Sequence, residues 1–101
     1  MENITFVIEL GEEKVTTEEV KLPKEVARKI VDLWYNTHAI DSRTYKELTI
    51  QLENTGIIWC SLLRTPSNGY IPISLADWEL LPRLERGERL EDILNKPAFK
   101  L

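Results

Sequence analysis

The side chains able to do chemistry are few and scattered. The 101-residue chain holds one histidine, His38, and one cysteine, Cys60. A catalytic nucleophile needs a base beside it, and one histidine in an expected loop cannot be set against Cys60 or Ser61 by any argument from spacing. Cys60 lies in an apolar run with no adjacent cation, which describes a core thiol rather than a reactive one. The same scarcity excludes a cluster of Cys and His metal ligands, and Asp and Glu never fall at the spacing of a calcium loop. No metal and no cofactor are expected. The glycines stand far apart at 11, 56, 69 and 87, so no phosphate-cradling loop is present.

Carboxylates are plentiful but badly placed for a catalytic dyad. Glu12 and Glu13 fall in a turn, and Glu18 and Glu19 are strand neighbours that point to opposite faces. Glu88, Glu91 and Asp92 recur at helical spacing as a solvated face, with Glu85 and Arg89 as an i,i+4 pair, or as an acidic surface for a basic partner. Arg83, Arg86 and Arg89 are interleaved with Glu85 and Glu88 and read as balanced surface. The alternative is an anion site built from Arg64, Arg83, Arg86 and His38. Trp59, Arg64 and Tyr70 are of the types that stack bases, but Arg64 is the only ionised side chain between Gly56 and Leu75, so nucleic acid is not expected to bind.

The elements that must carry these residues follow from periodicity. Ile4, Phe6, Ile8 and Leu10 alternate with Thr5, Val7 and Glu9, the period of a strand. Gly11 to Lys14 reads as a turn, and Val15 to Leu22 as a second strand of the same hairpin, at an edge or bulged because Val15 and Val20 differ in parity. Pro23 opens a helix whose stripe is Val26, Ala27, Ile30, Val31, Leu33 and Trp34, ending near Asn36. Asp41 or Ser42 caps a second helix, with Tyr45, Leu48 and Leu52 inward and Asn54-Thr55-Gly56 as its stop. Ile57 to Leu63 and Tyr70 to Leu75 flank Pro66-Ser67-Asn68-Gly69 and read as a second hairpin. Asp77 caps a further helix from Trp78, Pro82 breaks or restarts it, and Gly87 separates a short segment from Glu88 to Asn95. The expected architecture is one α+β domain over residues 1–101, in the order ββααββα(α), with an antiparallel sheet made from two hairpins and helices packed on it.

Parity divides the second pair of strands into two faces. Ile58, Cys60 and Leu62 share one with Ile71, Ile73 and Leu75, while Ile57, Trp59, Ser61 and Leu63 share the other with Tyr70, Pro72 and Ser74. Both faces are apolar, so the second needs a cover. Either the C-terminal helices, with Trp78, Leu81, Leu84, Leu90, Ile93 and Leu94, fold across it, or a partner or second copy does.

Charge and composition narrow the function classes. The net charge is −4, all of it arising in residues 1 to 22, which hold six Glu against Lys14 and Lys21. This opposes general affinity for a phosphate backbone or an anionic membrane. No run of about 18 apolar residues offers a membrane span, and the opening residues do not resemble a signal peptide. A lone cysteine forms no internal disulfide, so a cytoplasmic setting is expected. These readings lead to a small non-catalytic binding or regulatory protein, of an inhibitor, immunity or adaptor kind, acting by protein contact and as a homodimer. Its anchors are Trp59, Leu63, Tyr70 and Trp78. Two rivals remain: a protein sequestering a small anionic, nucleotide-like ligand, and a small enzyme pairing His38 with a carboxylate.

Overall fold

A computed structural model describes residues 2–11 and 13–94 of the chain. Strands β1 (Asn3–Leu10) and β2 (Thr16–Pro23) form an antiparallel hairpin, with Asn3 opposite Pro23 and Leu10 opposite Thr16. The ladder is unbroken, so no bulge is needed. Val15, whose parity conflicted with Val20, lies in the exposed turn instead of the strand. Gly11 opens that turn at a φ of 80°, where a Cβ would come within 2.7 Å of the Lys14 carbonyl oxygen. The left-handed backbone and the close approach both call for glycine.

Pro23 ends β2 and serves as the N-cap of helix α1 (Lys24–Asn36), which buries Ala27, Ile30, Val31 and Trp34. Helix α2 (Ser42–Asn54) starts where the Asp41 carboxylate accepts the Thr44 backbone N–H at 2.7 Å and buries Leu48 and Leu52. It stops before Gly56, at a φ of 71°. The two helices supply the crossover that parallel pairing requires. Strand β3 (Ile57–Ser61) accordingly joins β1 in parallel, from Thr5 opposite Ile57 to Glu9 opposite Ser61.

The expected second hairpin does not form. The short strand β4 (Ile71–Pro72) runs parallel to β3, with Cys60 opposite Ile71 and Ser61 opposite Pro72. The sheet is therefore mixed, in the order β2-β1-β3-β4, and not wholly antiparallel as expected. Alternation states which face a residue occupies but not the direction in which its strand runs. The turn signal at Pro66 to Gly69 belongs to a wider loop, 62–70, that leaves the end of β3 and returns beside Cys60. Pro72 sits on the outer strand, where a missing N–H breaks no ladder. The expected sharing of faces survives where the strands pair, with Cys60 beside Ile71 and Ser61 beside Pro72, whereas Leu75, expected on the inward face, begins the next helix and is exposed.

Helix α3 (Leu75–Glu85) is capped by Ser74 rather than Asp77. The Ser74 hydroxyl accepts the Asp77 N–H at 3.1 Å and donates to the Asp77 carboxylate at 2.8 Å. Pro82 lies inside α3 without ending it, since buried Leu80, Leu81 and Leu84 hold both sides of the helix to the core. Gly87 separates it from helix α4 (Leu90–Leu94).

All four helices pack into one core with the inward side chains of the sheet, among them Ile4, Phe6, Ile8, Val20, Leu22, Ile58, Cys60 and Ile71. Phe6 meets Trp34 edge to face, with centroids 6.1 Å apart. Leu81, Leu84 and Ile93 belong to this core, and Trp78 and Leu90 pack against it. The C-terminal helices α3 and α4 thus lie with α1 and α2, and the second face of the sheet is left without a helix among the described residues.

Candidate interaction face

The open face follows from the same alternation that builds the core. Val7 lies between inward Phe6 and Ile8 and pairs with Trp59 on one side and Glu19 on the other, so these three side chains share the outward face. Thr5, Ile57 and Lys21 form the row beside them. Trp59 remains 38% exposed and meets Tyr70 edge to face at 5.4 Å between centroids. With Asn68 and Gly69 the pair borders an open, shallow depression of about 310 Å³. The other large exposed apolar side chains, Val15, Tyr35, Ile50 and Leu75, lie in a turn and on helices. Isolated surface apolars of that kind are ordinary. An aromatic pair on a sheet face beside Val7, Ile57 and Pro72 is a patch.

Tyr70 is held there by a residue that sequence reasoning passed over. Glu9 belongs to the outward face, yet it is only 2% exposed because loop 62–70 folds over it. Its carboxylate accepts the Ser67 backbone N–H and the Ser67 hydroxyl, both at 2.7 Å, and a hydrogen bond from the Ser61 side chain. Leu62 donates its N–H to the Glu9 carbonyl at 3.1 Å, and Leu63 donates to the Ser61 hydroxyl oxygen at 3.0 Å. These bonds fasten the loop at its start and its middle, and the Tyr70 N–H closes it on the Ser67 carbonyl at 3.0 Å. The signal in the sequence was Glu9 and Ser61 at outward positions of apolar strands. Pairing them required the parallel register, which alternation does not supply.

Burial pushes the Glu9 carboxyl up, and the Ser67 N–H, the Ser67 hydroxyl and Ser61 outweigh it, leaving the group below its usual value of 4.5. A carboxyl with a folded-state pKa below its unfolded value stabilises the fold above the unfolded pKa. That contribution is lost as pH falls through the folded value. Asp41, held low by the Thr44 N–H and hydroxyl, and Glu53, held low by Lys24, act in the same direction. Urea unfolding is expected to show stability falling below about pH 4.5. The Glu9→Gln variant is expected to melt several degrees lower at pH 7 and to lose less on acidification. Equal acid slopes in the two proteins would remove Glu9 from this role.

The remaining candidate residues are dispersed. Trp59 and Tyr70, two of the four expected anchors, are in ring contact, Leu63 is half-buried in the loop that follows Ser61, and Trp78 is half-buried against the helical side of the core. Arg83 and Arg86 both engage Glu88, at 2.9 and 3.4 Å, where they brace the turn between α3 and α4. Arg64 stands in loop 62–70, and His38 in the turn after α1 at a φ of 62°. The four residues of the expected anion site therefore occupy three separate segments. His38 is exposed, and its side chain meets no carboxylate among the described residues. No three His, Cys, Asp or Glu side chains among the described residues gather in a way that could hold a metal ion.

No protein-family model, curated protein or solved structure matches the chain. No helix among the described residues is long and apolar enough to cross a membrane.

Proposed function

We propose that this chain is a small non-catalytic binding protein that acts through protein contact, using the open face of its sheet with Trp59 and Tyr70 as anchors. The observation that carries the reading is the placement of the aromatic pair, on the face opposite all four helices. Aromatic side chains exposed on a flat apolar surface are the usual anchors of protein interfaces. The depression beside them is too open to enclose a small ligand, which normally loses most of its surface on binding. Loop 62–70, pinned through Glu9, presents Tyr70 in a fixed position and so reduces the entropy lost on binding. An inhibitor, immunity-type partner or adaptor is the class this describes, and a cytosolic setting suits the single buried thiol.

Native mass spectrometry of the protein purified gently from its host tests the reading, with wild type compared against the Trp59→Ser/Tyr70→Ser variant. Wild type is expected to carry additional protein mass, either a second copy or a companion. The variant should lose it while keeping its far-UV circular dichroism, with affinity down at least about 30-fold. A companion retained by the variant, or a bare wild-type monomer, would sink the proposal. A discrete added mass of nucleotide size would instead favour the sequestering alternative.

A further inference from the structure

The open face also carries two charges at its β2 edge, across β1 from Trp59. β2 flanks the open face with Glu19 and Lys21, which lie opposite Val7 and Thr5 and therefore point to the same side. Both are exposed, and neither side chain has a hydrogen-bond or ion-pair partner among the described residues. Two positions along a strand separate them, about 6.6 Å. The chain as a whole carries a net charge of −4, yet this flank sums to zero. A strongly basic or acidic partner would be met better by a flank of one sign.

Resting on the proposed binding role of this face, we infer that its occupant is a second copy of the chain. The two sheets stack face to face about a two-fold axis, with Glu19 of each copy against Lys21 of the other. A two-fold axis makes each contact twice, so one Glu and one Lys on a patch become two complementary pairs. Sheets packed in this way lie about 10 Å apart, a gap that interdigitated side chains such as Trp59 and Tyr70 fill. Pairing of copies through the β2 edge is disfavoured, because the Glu85 carboxylate already takes the outward Lys21 N–H at 2.8 Å. The three strands, about 4.8 Å apart, are open along the rows of Thr5 and Val7, because the next row, Glu9 and Ser61, is buried beneath loop 62–70. That is small for a stable interface, so the dimer is weak and dissociates on dilution.

Charge exchange tests this directly. Sedimentation velocity from low to high micromolar concentration is expected to show wild type passing from monomer to dimer. Glu19→Lys sets lysine against lysine, Lys21→Glu sets glutamate against glutamate, and each change should weaken association about tenfold. An equimolar mixture of the two variants should recover wild-type association as a heterodimer, because the opposed charges are again complementary. Both residues are exposed, so circular dichroism should not change. Unchanged self-association of the single variants, or no recovery on mixing, would overturn the inference. So would a wild type that stays monomeric throughout. If that monomer still carries a protein companion from its host, and loses it with Trp59→Ser/Tyr70→Ser, self-association fails while the binding role stands. If it carries none, both fail.

Discussion

Phe6→Ala is expected to cost about 3–5 kcal/mol of stability, whereas Val7→Ala, at the adjacent position, costs no more than about 1 kcal/mol. Phe6 is fully buried and packs edge to face on Trp34, so alanine leaves a cavity under α1 that neither the sheet nor the helix can close. Val7 lies half-buried on the opposite side of the same strand, where water replaces the lost methyl groups. A chain of this size has about 5–15 kcal/mol in total, so the Phe6 variant keeps little margin. At about 4–8 °C per kcal/mol its Tm falls by more than about 12 °C. Thermal melts at low protein concentration, where any dimer dissociates, give the comparison. Equal costs at the two positions would mean that the outward face is as well covered as the core, and the open face would disappear with the proposals built on it.

That asymmetry explains how much of the molecule was legible beforehand. Local rules stated the parts that local physics decides. The stripe from Val26 to Trp34, a cap at Asp41 or Ser42, which the structure assigns to Asp41, the Gly56 stop and the parity that sets Trp59 with Tyr70 all depend on residues near one another in sequence. The direction of β4 depends on where loop 62–70 returns, and that is fixed by Glu9, far away along the chain. Pro82 marked a break because it lacks an N–H, but burial of Leu81 and Leu84 outweighs one missing hydrogen bond. Ser74 and Asp77 are both capping residue types three positions apart, and in the structure Ser74 is the cap while Asp77 in the first turn bonds back to it, so composition alone could not rank them. The site was half visible for the same reason. Trp59 and Tyr70 could be placed on one face by parity, while Trp78, an equal candidate by residue type, was drawn against the core by the helix that carries it.

The thiol of Cys60 offers a second large effect. Burial alone pushes its pKa from 9.0 up to about 12, because the inward face of β3 has nothing to solvate a thiolate. Only the thiolate attacks a disulfide reagent, and a rise from 9.0 to about 12 lowers its population at pH 8 about a thousandfold, before any steric protection is counted. Labelling with an aromatic disulfide is therefore expected to be at least about a thousandfold slower in the folded protein than in urea, and to follow the rate or population of unfolding. Fast labelling under native conditions would place Cys60 outside the core and reopen its candidacy as a nucleophile. The same reaction also controls the binding test. Trp59 and Cys60 are neighbours on β3 with opposite orientations, so a Trp59→Ser/Tyr70→Ser variant that has lost only its outward anchors must still protect the thiol beneath them. A variant that loses its partner and also labels quickly has lost its fold, and its failure to bind says nothing about the face. Lost binding with Cys60 still protected assigns the effect to the two aromatic side chains.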